Sequence, residues 1–191
     1  MKKLQRNKNL KLNEFQLKNL SMSIIAAKLC NLKERKIFNT LNKIKDVDGR
    51  LELARVFPNN IKVFVDFAHT PDALTKSIDS LTATYGENIS LVFGCGGERD
   101  FKKRPLMGKI ASTRCKKIYV TDDNPRNENP VKIRSEILKN IKKHNYLNIG
   151  NRKKAIKTAI LKANANEVIL VAGKGHEERQ IYKNKILKKS D

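Results

Sequence analysis

The strongest constraint on the fold is a regular alternation, from residue 50 onward, of short apolar runs with segments of helical periodicity. Four runs have the length and the apolar, β-branched content of buried strands, and they lie at residues 61–65, 89–93, 117–121 and 168–172. Strands that alternate with helices in this way predict an α/β domain with a mainly parallel sheet.

Two of the intervening helices begin with the same chemical signal. Thr70 stands before Pro71 and Asp72, and Asn129 stands before Pro130. A capping side chain followed by proline at the first helical position is typical of a helix start. Further helical patterns cover residues 105–113 and 155–163, and residues 180–187 predict a weak hairpin or an edge strand.

The segment before residue 50 has a different character. Residues 1–13 are polar and basic, and we expect them to be disordered. Helical periodicity covers residues 14–29 and 37–44, and residues 46–50 interrupt it. We therefore predict three parts, which are a tail at residues 1–13, helices of a separate unit at residues 14–48 and the α/β domain at residues 49–191.

Loops rich in charge and glycine follow all four predicted strands. They occupy residues 66–72, 94–104, 122–126 and 173–179. The carboxyl ends of parallel strands lie at one edge of a sheet, and ligands of open α/β sheets bind beyond that edge. The four loops therefore predict a single site.

The first two loops each allow a functional and a structural interpretation. Asp66 could hold a hydroxyl group or lie near a metal, and His69 could contact a nucleotide, but a capped helix start with a hydrogen-bonded histidine is favoured on spacing alone. Arg99 and Arg104 could clamp carboxylates through two parallel bonds, or they could be solvated arginines beside a tight turn. The glycines at residues 94–97 form neither a dinucleotide fingerprint nor a P-loop.

The third and fourth loops contain groups that suit an amino acid. Asp122 and Asp123 would attract an ammonium group, and Asn124 and Arg126 would bind a carboxylate, although an Asx-Pro turn is an equal alternative. Glu177 could also accept an ammonium group, or it could belong to a structural turn. The chain has no G-x-x-x-x-G-K-[ST] segment, so we do not expect it to hold ATP phosphates in that way by itself.

Composition narrows the classes of function. The chain has 41 Lys and Arg against 19 Asp and Glu, a formal net charge of +22, which suits nucleic acid, anionic membranes and phosphorylated substrates. Aromatic residues make up only 6% of the chain and Trp is absent, so stacking surfaces for single strands are scarce. The basic residues are also spread along the chain, and a generic basic surface is therefore favoured over a nucleic-acid interface.

Two further observations concern metals and the compartment. The cysteines Cys30, Cys95 and Cys115 have no CxxC spacing, so we expect neither a zinc site nor disulfides. No apolar run is long enough for a membrane span, and no export signal follows the basic N-terminal residues. We expect a cytoplasmic protein with no membrane partner.

Taken in order, five segments resemble the C-terminal domain of the Mur ligases. They are Gly49-Arg50, DFAHTPDAL at residues 66–74, FGCGGERDFKKRPLMGKIA at 93–111, TDDNPR at 121–126 and VAGKGHE at 171–177. The DNPR segment resembles the MurE type, which uses ATP and Mg²⁺ to add meso-diaminopimelate to UDP-N-acetylmuramoyl-L-alanyl-D-glutamate in peptidoglycan synthesis. The resemblance covers residues 14 to about 187, and it implies a Rossmann-like, mainly parallel sheet flanked by helices and preceded by residual helices of a central domain.

The resemblance also implies roles for individual residues. It implies a diaminopimelate site formed by Arg99, Asp123, Asn124, Pro125, Arg126, Gly173 and Glu177. Arg126 is implied to pair with the carboxylate that distinguishes diaminopimelate from lysine. Asp66 and His69 match a loop that meets the nucleotide on domain closure, and Gly49 and Arg50 match a hinge. No catalytic residue is assigned.

The resemblance reveals one large departure. The family has a UDP-binding domain and a central ATPase domain with a P-loop, of which only the last helices are expected here. We therefore expect an amino-acid-binding part that is inactive alone, that binds neither ATP nor Mg²⁺ stably, and that meets the UDP-linked dipeptide only with the missing domains. The alternative is a basic module repurposed to bind nucleic acid or other anions, but the intact DNPR and GKGHE loops argue against it.

Overall fold

A computed structural model describes residues 14–41, 43–44, 47–141, 146–188 and 190–191. The chain divides into two compact units, Met1–Asp46 and Val47–Asp191. The predicted disordered tail lies outside the described residues. The assignment of residues 14–48 to another domain of a longer protein stays a prediction.

The first unit contains two helices, of which the first matches the predicted range and the second begins three residues before the predicted range and ends three residues before its end. Helix α1 spans Glu14–Leu29 and helix α2 spans Glu34–Leu41. Ile37 and Leu41 form the buried face of α2, as their spacing of four residues requires.

The second unit is built on a six-stranded sheet. Its strands are β1 (Glu52–Phe57), β2 (Ile61–Asp66), β3 (Ile89–Phe93), β4 (Lys117–Val120), β5 (Tyr146–Asn148) and β6 (Val168–Ala172). The order across the sheet is β1-β2-β6-β3-β4-β5, and every neighbouring pair is parallel except β1 with β2. The carboxyl ends of β2, β6, β3 and β4 therefore lie side by side, which places the four polar loops at one edge.

Four helices connect the strands. They are α3 (Pro71–Tyr85), α4 (Lys103–Arg114), α5 (Pro130–Leu138) and α6 (Arg152–Leu161). Both predicted starts are confirmed, because Thr70 accepts a hydrogen bond from the Ala73 amide at 3.3 Å and Asn129 accepts one from the Val131 amide at 2.9 Å. A hairpin of β7 (Arg179–Tyr182) and β8 (Lys185–Lys188) forms a second sheet, as the pattern at residues 180–187 predicts.

The central strands are buried on both faces, so successive residues enter two different cores. On one face Leu91 and Phe93 of β3 pack with Leu74 and Ile78 of α3 and with residues of α4 and α5. On the other face Val92 packs against α6. Because side chains alternate across a strand, a short run of consecutive apolar residues fills both layers. The predicted α/β fold with a mainly parallel sheet is confirmed.

Two strands are absent from the sequence-based prediction, and both lie at an edge of the sheet. Strand β1 is largely exposed and β5 is fully exposed, so neither carries the apolar run that marks a buried strand. Their assignment depends on backbone pairing with β2 and β4, which no local pattern reveals. Among the described residues, no helix is long and apolar enough to cross a membrane.

Candidate functional site

A cleft of about 140 Å³ lies at the edge of the sheet where the polar loops meet. It is lined by Phe67, His69, Gly94, Gly96, Arg99, Lys103, Asp123, Asn124, Arg126, Gly173 and Glu177. Six of the seven residues implied for diaminopimelate are in this set, and the seventh, Pro125, is buried between two of them. Phe67 and Lys103 also line the cleft, although the sequence analysis did not single them out as site residues.

Asn124 is the central connector of the cleft. Its side-chain amide donates to Glu177 Oε2 at 3.0 Å, and its Oδ1 accepts from the Ile181 amide at 2.9 Å. Its carbonyl accepts from the Gly97 amide at 2.9 Å. One residue thus joins the loops after β3, β4 and β6, which explains how separate segments form one site.

Asp123 presents a buried carboxylate to the cleft. Its Oδ1 accepts a hydrogen bond from the Asn124 amide at 2.6 Å. Its Oδ2 is buried and has no hydrogen-bond partner among the described residues. Gly173, with φ of +116°, lies against it so closely that a Cβ there would stand 2.8 Å from Oδ2. A buried carboxylate oxygen without a donor is a place where a ligand cation would be stabilised.

Arg126 is held by backbone carbonyls and by the hairpin. Its Nη1 donates to the Gly97 carbonyl at 2.7 Å, and its main-chain amide donates to the Ile181 carbonyl at 3.0 Å. Its own carbonyl accepts from the Lys183 amide at 2.6 Å. The backbone of Arg126 is left-handed, with φ of +52°. Because the side-chain bond to the Gly97 carbonyl uses Nη1, the Nε and Nη2 groups form a fork that suits a ligand carboxylate.

Arg99 and Arg104 have different environments, although the sequence analysis predicted the same two alternatives for both. Arg104 is 1% exposed, and it pairs with Glu136 at 2.7 Å and with Glu128 at 2.9 Å. Its Nη2 also donates to the Gly96 carbonyl at 3.2 Å, so the structure favours a structural role for it in holding the glycine loop. Arg99 is exposed at the rim of the cleft, where it can meet a ligand.

Asp66 and His69 fit the structural interpretation of their loop. Asp66 Oδ1 accepts from the Phe67 amide at 2.8 Å and from the Leu51 amide at 3.2 Å, and its Oδ2 accepts from the Ser77 hydroxyl. The His69 ring nitrogen Nδ1 lies 2.9 Å from the Phe67 carbonyl. His69 lines the cleft and Asp66 supports the backbone beneath it, so their proximity to a nucleotide stays a prediction.

Gly49 and Arg50 pack against the loops after β2 and β6. Gly49 has φ of +66°, and a Cβ there would stand 2.2 Å from the His176 main-chain nitrogen. The Arg50 guanidinium lies 4.6 Å from the centre of the Phe67 ring, which also stacks on the His176 ring at 5.7 Å. The positive φ and the close approach to His176 explain why residue 49 is a glycine. The hinge function of Gly49 and Arg50 stays a prediction.

Further charged and polar groups lie near the carboxyl ends of β4 and β6, outside the lining of the cleft. Asp122 pairs with Arg134 and accepts from the Tyr182 hydroxyl at 2.9 Å, and burial together with that carboxylate raises the pKa of Tyr182. Burial lowers the pKa of Lys174, which is 1% exposed. Arg152 is also buried, and its Nε donates to Asp191 Oδ1 at 2.6 Å. The sequence analysis expected Asp122 to attract a ligand ammonium group, but the structure pairs it with Arg134 instead. It did not predict the other members of this group, because they are far apart in the chain.

The chemistry of these groups suits recognition of a zwitterion. Carboxylates of Asp123 and Glu177 can receive an ammonium group, and the Arg126 and Arg99 guanidinium groups can receive carboxylates. No group of three or more His, Cys, Asp or Glu side chains in the described part of the chain could hold a metal ion.

Comparison with known proteins identifies relatives of the whole described domain. The sequence profile of the family described as Mur ligase, glutamate ligase domain matches residues 49–175. A UDP-N-acetylmuramoyl-L-alanyl-D-glutamate–2,6-diaminopimelate ligase from Buchnera aphidicola subsp. Schizaphis graminum is 44% identical over 178 residues, which are 93% of this chain and 36% of that protein. The ligase of the same name from Rickettsia bellii is 44% identical over 89% of this chain and 35% of its own length.

Solved structures give the same result for the fold. A structure of a UDP-N-acetylmuramoyl-L-alanyl-D-glutamate–2,6-diaminopimelate ligase matches with a TM-score of 0.70 and 32% identity, over 94% of this chain and 37% of that one. A UDP-N-acetylmuramate-alanine ligase from Thermotoga maritima matches with a TM-score of 0.65 at 20% identity, over 87% and 36% of the two chains, and supports the fold alone. The chain spans about a third of the length of these relatives.

Proposed function

We propose, because the chain belongs to the Mur ligase family, that it forms the amino-acid-binding part of an ATP-dependent ligase that adds meso-diaminopimelate to UDP-N-acetylmuramoyl-L-alanyl-D-glutamate in peptidoglycan synthesis. One observation carries the proposal. The cleft places acidic groups at Asp123 and Glu177 and guanidinium groups at Arg99 and Arg126, which is the charge pattern that a diamino diacid requires.

In this proposal each end of the ligand has its own partners. The buried Oδ2 of Asp123 and the carboxylate of Glu177 receive an ammonium group, and Asn124 fixes Glu177 in place. The Nε and Nη2 groups of Arg126 receive the carboxylate that meso-diaminopimelate has and lysine lacks. Because Arg126 is braced by the Gly97 carbonyl, its fork is oriented before the ligand arrives, which lowers the entropy cost of binding.

The contribution of this chain to the reaction is positioning. The free amine of the acceptor must approach an activated carboxyl group, and a fixed orientation of the acceptor can supply several kcal/mol toward that step. In the complete ligase, ATP would supply the activation of that carboxyl group. The sequence of this chain has no P-loop, and no group of three or more His, Cys, Asp or Glu side chains among the described residues could hold a metal ion. We therefore assign ATP, Mg²⁺ and the UDP-linked dipeptide to the domains that the relatives have in addition.

Three further assignments belong to the same proposal. The family match begins at residue 49, so helices α1 and α2 are assigned to the end of the preceding, central domain. Gly49 and Arg50 are assigned to the hinge, and Asp66 and His69 to the loop that meets the nucleotide on closure. The compartment is the cytoplasm, where UDP-linked precursors are made. Nucleic-acid binding is not proposed, because the relatives are named as ligases.

The test is a comparison of two ligands that differ by one carboxylate. Amide resonances of the purified chain should shift on titration with meso-diaminopimelate, with an affinity at least about tenfold higher than for L-lysine, since a charge-assisted hydrogen bond contributes about 1.5–3 kcal/mol. Arg126→Ala should remove this preference, whereas Arg55→Ala, on the exposed strand β1, should keep it.

Two results would contradict the proposal. One is an unchanged preference in the Arg126→Ala chain, and the other is a wild-type chain that binds lysine as tightly as meso-diaminopimelate. The purified chain is also expected not to hydrolyse ATP. Robust hydrolysis would show that the activating domain is not needed.

A further inference from the structure

Near the carboxyl end of β6 there are two buried side-chain atoms, one in a guanidinium and one in a carboxylate, that have no hydrogen-bond partner among the described residues. Among the described residues, Arg152 Nη1 and Asp123 Oδ2 are both buried and make no hydrogen bond. Both residues adjoin the carboxyl end of β6. Arg152 Nη2 donates to the Ala172 carbonyl at 3.1 Å, and Asp123 Oδ2 lies against the next residue, Gly173.

The two groups are also electrostatically coupled. Burial acts to lower the pKa of Arg152, but its partner Asp191 and the nearby carboxylates Asp123 and Glu177 raise it above its ordinary value. A buried guanidinium and a buried carboxylate, each with an unused hydrogen-bonding atom, would gain by pairing with each other. Something must therefore keep Arg152 from taking the oxygen that the proposed function reserves for a ligand.

Asp191 is the group that holds Arg152. Its two carboxylate oxygens bind Nε and Nη2 of the guanidinium, with the Nε bond at 2.6 Å, and the side chains are 4% and 3% exposed. This fork-to-fork geometry fixes the plane of the guanidinium as well as its position. Arg152 is further fixed because it begins α6, where Asn151 caps the helix by accepting from the Lys154 amide at 3.0 Å.

A count of the charges that act on Arg152 and Lys174 shows what Asp191 contributes. Two cations, Arg152 and Lys174, face three carboxylates, Asp123, Glu177 and Asp191, so the group carries a net charge of −1 before any ligand binds. An incoming ammonium group would bring it to neutrality. Without the charge of Asp191 the group is already neutral, and Arg152 has lost the partner that restrains it.

We propose that Asp191 is a positioning residue for the acceptor site: by holding Arg152 in a buried bidentate pair, it keeps that guanidinium off Asp123 and leaves Asp123 Oδ2 to the ammonium group of the ligand. The inference rests on the proposed function, in which Asp123 binds that group. It assigns a function to Arg152 and Asp191, which line a separate pocket and not the cleft itself.

The first test uses binding to the purified chain. Asp191→Asn keeps the size of the side chain but removes its charge, and it should weaken binding of meso-diaminopimelate about tenfold, because Arg152 then competes for Asp123. The double variant Asp191→Asn with Arg152→Met should recover to within about threefold of wild type, since the competitor is gone and the net charge of −1 returns. Pimelate, which has the two carboxylates but no amine, should bind the wild type and Asp191→Asn equally.

Binding by the folded fraction distinguishes positioning from a purely structural role. If Asp191 merely stabilised the domain, the affinity of the folded fraction of Asp191→Asn, with that fraction measured by urea unfolding, would equal the affinity of wild type. The inference is overturned if Asp191→Asn binds meso-diaminopimelate as tightly as wild type, or if the double variant binds no better than Asp191→Asn.

A second test needs no ligand, so it separates this inference from the proposed function. The coupling between Arg152→Met and Asp123→Asn is measured from unfolding in urea, once with Asp191 present and once in the Asp191→Asn background. In the Asp191→Asn background the coupling between the two substitutions, expressed as a factor in the unfolding equilibrium constant, should be about tenfold larger than with Asp191 present. The reason is that Arg152 pairs with Asp123 only when residue 191 is neutral. Equal coupling in both backgrounds refutes the inference. Failure of the wild type to bind diaminopimelate, with increased coupling, refutes only the proposed function.

Discussion

Gly173→Ala is the substitution whose effect on the cleft can be worked out most directly from the structure. Gly173 has φ of +116°, a conformation that residues with a Cβ rarely adopt. An ideal Cβ there would stand 2.8 Å from Asp123 Oδ2, closer than Cβ contacts observed in proteins. The nearest atom is the end of a side chain rather than backbone, so the clash is relieved by rotation of the Asp123 carboxylate.

Two separate costs follow from this geometry. Strained backbone at a position suited to glycine costs about 1–3 kcal/mol of unfolding free energy. Displacement of Oδ2 removes the proposed partner of the ligand ammonium, and a hydrogen bond to a charged group is worth about 1.5–3 kcal/mol. Gly173→Ala should therefore lower stability by about 1–3 kcal/mol and weaken binding of meso-diaminopimelate by about tenfold to a hundredfold.

Gly86 provides the matched control. It also has positive φ, at +83°, but nothing lies within 4 Å of the position that its Cβ would occupy. Gly86→Ala, at the end of α3, should show the cost in stability without any loss of binding. Urea unfolding measures the first quantity and calorimetric or NMR titration the second. The reasoning is wrong if Gly173→Ala binds the ligand like wild type, or if both variants lose binding equally.

The remaining predictions concern the support of the site and the core. Arg104→Met should cost about 2–4 kcal/mol in urea unfolding, since it removes the cation that two partly buried glutamates share, and a stability equal to wild type would refute the structural role assigned to Arg104. Burial raises the pKa of the Cys95 thiol to about 12, so Cys95 should resist alkylation at pH 8 in the folded chain while exposed Cys30 reacts, as mass spectrometry can show. The folded thiol keeps its proton between about pH 9 and 12 while the unfolded thiol loses it, so Cys95→Ser should reduce the loss of stability over that interval; an identical decline in both proteins would contradict this. Thr70→Ala should lower the free energy of unfolding by about 1 kcal/mol and speed amide hydrogen exchange in the first turn of α3. Unchanged exchange would contradict the role of Thr70 as a helix cap.

The central architecture was predictable because its physical causes are local. Strands β3 and β6 match the predicted ranges at both ends, since a strand buried on both faces must be apolar at every position. Thr70 and Asn129 mark helix starts because the capping bond joins residues two or three positions apart. Strands β1 and β5 were missed because an exposed edge strand is defined by its backbone partner and not by its composition.

The site shows the same division. The sequence by itself determined which loops carry the charged groups and that they meet at one edge, because connections in a parallel sheet place all carboxyl ends together. Only the tertiary structure decided the environment of each group. Arg99 and Arg104 are five residues apart and chemically identical, yet one is exposed at the cleft and the other is buried between two glutamates.

The pair of Arg152 and Asp191 shows most clearly what only the tertiary structure decides. Neither residue lies in a recognisable motif, and 39 positions separate them, so nothing local indicates that they meet. Burial is what gives the pair its importance, because charges removed from water must find partners within the protein. The sequence determined the set of loops and the tertiary structure determined which charges are buried together, since desolvation depends on the three-dimensional environment of a group and not on its neighbours in the chain.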